Sequence, residues 1–159
     1  MNKKVFAMAA ALVLMTLWTS GLGLAQNDSP ACNNRLIAGH YGFTIEGNKL
    51  GGLGPIGPMV GVAMTQFDGN GGLTQIDTVV INGLVVADFT HTPASGTYTV
   101  NSDCTGTFTL NFTDGRQTVV TNFVVVEAGF EIDAVVISAG GHTGILATRS
   151  IGKRRLLGQ

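Results

Sequence analysis

GTFTLNFTDGRQTVVTNFVVVEAGFEIDAVVISAGG, residues 106–141, is the stretch that decides the fold. Three runs rich in Val, Ile, Thr and Phe are divided only by Asp114-Gly115 and by Glu127-Ala128-Gly129. Within the first run Phe108, Leu110 and Phe112 recur at every second position, the repeat of a strand with one buried face. No apolar residues recur at i, i+3, i+4 and i+7, so a helical reading fails. Linkers this short force neighbouring strands to run antiparallel.

The pattern extends outward in both directions. Strand-like segments occupy residues 36–47, 59–69, 72–83, 84–91 and 95–101 before this stretch, and 142–150 after it. DGNGG, NSDCTG and AGG separate them, residues that turn the chain cheaply because they tolerate positive φ. The chain is therefore predicted to be all-β, an antiparallel up-and-down meander of about eight strands. Its two edges must close into a barrel or fold over as a β-sandwich; successive hairpins without a long return connection favour the barrel. Residues 48–61, NKLGGLGPIGPMVG, form the longest irregular stretch and read as a loop over one barrel mouth.

At the N-terminus, Lys3 and Lys4 precede an apolar run from Val5 to Leu17, and Gly23 and Ala25 supply small residues. This is the form of a secretory signal peptide over residues 1–25, cleaved after Ala25, which places the protein in the periplasm or outside the cell. A retained anchor is the alternative by length, but Thr16, Thr19 and Ser20 suit a cleaved end better. Cleavage leaves a tether at 26–35, a barrel domain at 36–151 and a basic tail at 152–159, and no stable membrane insertion thereafter. Of nine basic residues the mature chain keeps seven against ten acidic ones, so nothing suggests nucleic acid, which calls for a basic stripe. Cys32 and Cys104 both lie in the exported part, where oxidation favours a disulfide; neither CxxC spacing nor a flanking cation marks them as reactive.

Candidate chemistry is sparse. His40, His91 and His142 stand at no metal-ligand spacing, and no metal or cofactor is indicated. FDGNGGLT offers Asp68 and Asn70 as calcium ligands but lacks the later acid, so a hairpin turn explains it better. No GxSxG surrounds a serine. Glu131 and Asp133 share one face of their strand; with Asp77 on a facing strand they could form a carboxylate pair for acid and base work, or they could coat the exterior. His40, Tyr41, Phe43, Phe108 and Phe112 are the candidates for contact with a ligand, if the interior is not filled by its own core.

Taken together, a cysteine shortly before LIAGHYGFTIEG, then FDGNGGLTQ, SGTYTVNSDCTGTFTL and GFEIDAVV, resemble a group of exported bacterial proteins similar to the allene oxide cyclase barrel. The resemblance covers most of residues 32–149 and implies a small lipocalin-like barrel of eight antiparallel strands with a lumen open at one end. It carries over no catalytic residue. Three functions remain open: a non-catalytic binding or structural barrel holding a small apolar ligand, a cyclase or isomerase that shapes its substrate in the lumen, and a self-associating envelope component.

Overall fold

Each of the nine predicted segments contains one strand. The computed structural model describes residues 31–156, so the signal peptide predicted at 1–25, the first part of the predicted tether and the last residues of the predicted tail lie outside the described residues. The strands are β1 (Gly39–Lys49), β2 (Gly57–Phe67), β3 (Gly72–Ile81), β4 (Leu84–Ala87), β5 (Ala94–Val100), β6 (Thr105–Asn111), β7 (Val119–Val126), β8 (Glu131–Ala139) and β9 (Leu146–Arg154). Every pairing is antiparallel, and β1 pairs with both β2 and β9, so the sheet closes on itself. Eight strands form the barrel and β4 is an extra strand folded back on the upper half of β3, above the stretch where β3 pairs β5. Closure removes the sheet edges that an open meander would expose.

Alternation then sorts every strand into an inner and an outer face. Tyr41, Phe67, Tyr98, Phe108 and Phe123 fill one half of the interior as a chain of tilted and edge-on ring contacts, with neighbouring centroids 4.9–6.4 Å apart. Two glycines make this packing feasible. A Cβ on Gly106 would lie 2.2 Å from Phe123 Cζ, and one on Gly152 would lie 2.4 Å from Phe43 Cζ, so the rings rest on bare backbone.

The aromatic end is plugged. A 3-10 turn, Asn34–Ile37, caps it with the fully buried Ile37, and the Cys32–Cys104 disulfide ties this segment to the β5–β6 turn. Asn34 joins the plug to the wall: its Oδ1 accepts the Val100 N–H at 2.7 Å and its carbonyl accepts the Tyr98 hydroxyl at 3.1 Å. The last strand runs past residue 151, where the sequence reading placed the end of the barrel. Its Arg154 belongs to the plug, donating from Nε to the Tyr41 hydroxyl at 2.9 Å and from Nη2 to the Leu36 carbonyl.

The other end is looser. β8 and β9 pair only from Glu131–Ala134 to Ser150–Lys153, and beyond that the Val136 N–H turns to the Thr148 hydroxyl at 3.2 Å. A bulge in β8 between the partners of Val120 and Thr121 adds to the divergence.

Candidate functional site

Above the aromatic layer the inward residues become aliphatic or small, and a cavity of about 390 Å³ opens toward the end where the β1–β2, β3–β4, β6–β7 and β8–β9 connections lie. Phe43 and Phe108 form its floor, while Val79, Ile81, Val119 and Val136 stand in its walls. The β1–β2 loop arches over the mouth: Leu50 N–H donates to the Ile145 carbonyl at 2.8 Å, and Gly52 lies against Ile145 and near Gln117 of the β6–β7 connection. Lys49, at the end of β1, donates to the Leu53 carbonyl and so holds the loop in its arch.

One polar cluster interrupts the apolar lining. Asp77, 3% exposed, points inward from β3 between Gln75 and Val79. Arg116 reaches it from the β6–β7 connection, with Nη1 at 2.9 Å and 3.1 Å from the two carboxylate oxygens. Gln75 Nε2 donates to Asp77 Oδ2 at 3.2 Å, and Thr65 donates its hydroxyl proton to Gln75 Oε1 at 2.8 Å, extending the network across to β2. Asp114 takes the remaining side of Arg116, accepting from Nε at 2.8 Å and lying 2.8 Å from Nη2. Burial pushes the Asp114 carboxyl up, but the hydrogen bonds and charge of Arg116 outweigh it and hold the group below its ordinary range. The guanidinium also lies over the Phe112 ring, 4.0 Å from its centroid.

His91 completes the cluster from the β4–β5 connection. Its Nδ1 proton goes to the Asp88 carbonyl, which leaves Nε2 as the acceptor for Arg116 Nη2 at 2.9 Å; the same Nε2 lies 3.2 Å from Asp77 Oδ1. Nε, Nη1 and Nη2 of Arg116 are thus each engaged, by Asp114, by Asp77, and by His91 with Asp114. A ligand carboxylate would face the carboxylates of Asp77 and Asp114 there. A ligand hydroxyl, by contrast, can donate to Asp77 or exchange with the Thr121 and Ser150 side chains that also line the cavity.

The residues singled out from the sequence scatter between the two faces. Asp77 is in the lumen, and Phe43, Phe108 and Phe112 line it. Tyr41 is in the barrel but below the cavity, where its hydroxyl donates to the Gly129 carbonyl and burial raises its pKa against the lowering influence of Arg154. His40, one position along, faces outward and is half-buried. Of the two arrangements open to Glu131 and Asp133, pairing with Asp77 or coating the exterior, the structure has the second. Ile132 and Ala134 take the inner positions of β8, which turns both acids to the outside. There Glu131 pairs with Lys153 at 3.2 Å, and Asp133 Oδ1 is covered without a hydrogen-bond partner among the described residues.

Arg116 and His91 are the site residues that sequence reasoning missed. Among the described residues, no three of His, Cys, Asp and Glu converge in a way that could hold a metal ion. Comparison with known proteins gives no match to a family model, to a curated protein or to a solved structure.

Proposed function

We propose that this is an exported, non-catalytic binding barrel that holds a small, largely apolar molecule in its lumen, with one hydroxyl-like group of the ligand meeting the Asp77 cluster. The observation that carries this is a cavity of about 390 Å³, mostly apolar in its lining, with one charged cluster at Asp77, set above the plugged end. Such a volume lies at the small end of ligand sites, about 300–1,000 Å³, and suits a compact molecule. The motif resemblance to exported relatives of the allene oxide cyclase barrel supports the same reading, as does a disulfide appropriate to an oxidising compartment.

A second reading, an isomerase or cyclase that shapes its substrate, is favoured by the inward carboxylate above an aromatic floor. It ranks lower because both oxygens of Asp77 are engaged by Arg116, with Gln75 adding a further bond to Oδ2.

The test is titration of the mature protein with an apolar fluorophore such as N-phenyl-1-naphthylamine, compared with Val119→Trp, which places an indole in the cavity from a half-buried wall position. Wild type should show one saturable site per chain, and Val119→Trp should lose it while retaining its unfolding midpoint. Equal affinity in both proteins would put the binding elsewhere.

A further inference from the structure

The two ends of the barrel differ sharply in surface chemistry. The plugged end carries Arg35, Asp68, Asp103, Glu127, Lys153 and Arg155. The mouth end confines its charge to Lys49, Asp88 and the paired Asp114 and Arg116, and carries none over residues 50–58 or 81–87. Instead it presents large aliphatic side chains to solvent: Leu53 is 83% exposed, Leu50 and Leu84 59% each, and Ile56 51%.

These four form one rim. Leu50, Leu53 and Ile56 lie on the arch over the cavity, and the arch abuts the β3–β4 turn that bears Leu84, where the Asn82 N–H donates to the Pro58 carbonyl at 2.8 Å and Gly57 lies against the Asn82 side chain. An exposed apolar cluster of this kind marks an interaction surface. We infer that the mouth docks on a lipid bilayer, with the rim leucines among the acyl chains, so that cargo moves between membrane and lumen without crossing water.

Two features favour lipid over a protein partner or a second copy. The aliphatic side chains stand on loop tips around an opening, whereas a stable protein interface needs a closely packed face of about 800 Å² on each side. A bilayer accepts each side chain independently. The apolar lumen also opens inside the rim, continuous with the hydrocarbon it would meet.

The inference extends the proposed binding role by naming where the ligand comes from, and its test separates the two. Mature protein would be co-sedimented with phosphatidylcholine vesicles, beside a rim variant (Leu50→Ser, Ile56→Ser, Leu84→Ser) and a wall variant (Val60→Ser, Val62→Ser) that removes exposed aliphatics from the barrel side. Wild type and wall variant should bind vesicles alike, insensitive to salt, and the rim variant should bind at least about tenfold more weakly while keeping the lumen fluorophore site. A wild type that takes up the fluorophore but ignores vesicles overturns the docking and leaves the binding role standing; vesicle binding without fluorophore binding does the reverse. Equal losses in rim and wall variants, or binding abolished by salt, would also overturn it, the latter placing contact on charged groups and not on the rim. Concentration-dependent self-association that the rim variant abolishes, without vesicle binding, would assign the rim to a second copy instead.

Discussion

Removing Arg116 should cost far more stability than removing the carboxylate it holds. In Arg116→Met the Asp77 side chain, 4% exposed, keeps only Gln75 Nε2 and the neighbouring His91, which leaves a buried charge without a fixed cation. The penalty for such a broken pair is about 3–5 kcal/mol. In Asp77→Asn, Arg116 retains both contacts to Asp114 and its side chain is 21% exposed, so water covers part of the loss. That asymmetry lowers the expected cost to about 1–2 kcal/mol. The double variant strands no charge and should lose only about 2 kcal/mol, well short of the sum, giving a coupling near 3 kcal/mol at the upper end for contacting residues. Urea unfolding of the mature, oxidised proteins measures all three, and with a slope of about 2 kcal/mol per molar, Arg116→Met should lower the midpoint by about 2 M. If the single losses simply add, or if Arg116→Met costs less than about 1 kcal/mol, the cluster is hydrated and Asp77 is not the dry anchor described above.

The Cys32–Cys104 bond closes a loop with a sequence separation of 72, for which chain entropy gives about 4 kcal/mol. Cys32→Ser with Cys104→Ser should therefore lower the thermal midpoint by roughly 15 °C in a domain of this size, and a drop below about 5 °C would mean that the plug holds without its staple. Asp68 accepts the N–H groups of Asn70, Gly71 and Gly72 at 2.7, 2.9 and 2.9 Å, and these bonds hold its carboxyl below the ordinary value of 3.8. Its contribution is thus present above that pH and fades as pH falls through the lower, folded-state value, so Asp68→Asn should flatten the loss of urea stability between pH 5 and acid; an unchanged acid limb would show that the turn does not depend on the charge.

The strands were legible because their punctuation is local. Asp114-Gly115 and the Glu127-Ala128-Gly129 turn announce themselves within a few residues, and Ala128 does take a left-handed φ of 53°. Which face of each strand turns inward was not legible. In FEIDAVV one face offers Glu131, Asp133 and Val135 and the other Ile132, Ala134 and Val136, and only closure of the barrel selects the second set. The cluster was hidden for a different reason. Arg116 reads as an ordinary turn residue, and its partner Asp77 lies 39 residues away, so no local spacing links them. The available signal was Asp77 itself: an acid amid Ile76, Thr78, Val79 and Val80 has an apolar neighbour on either face, and burial there requires a cation from elsewhere in the chain.

Side-chain size along the barrel axis explains why there is a cavity at all. Below, six of the eight barrel strands contribute a ring or a large aliphatic group: Tyr41, Phe67, Leu73, Tyr98, Phe123 and Ile132 are all nearly or wholly buried, with Ile37 closing the bottom. Above, aliphatic and small residues take over, Ile45, Met59 and Ile81 on the β1–β3 side and Val119, Thr121, Val136, Ala139 and Ser150 on the β7–β9 side, and the parting of β8 from β9 widens the wall where the side chains are smallest. An eight-stranded barrel is only just wide enough to be filled by its own residues or to hold one small ligand, so this change in residue size is enough to pass from one case to the other within a single barrel. The packed half and its staple supply the stability, which leaves the upper half free to remain open. A ligand held there, as proposed, would rest on the Phe43 and Phe108 rings with the Asp77 cluster at its side.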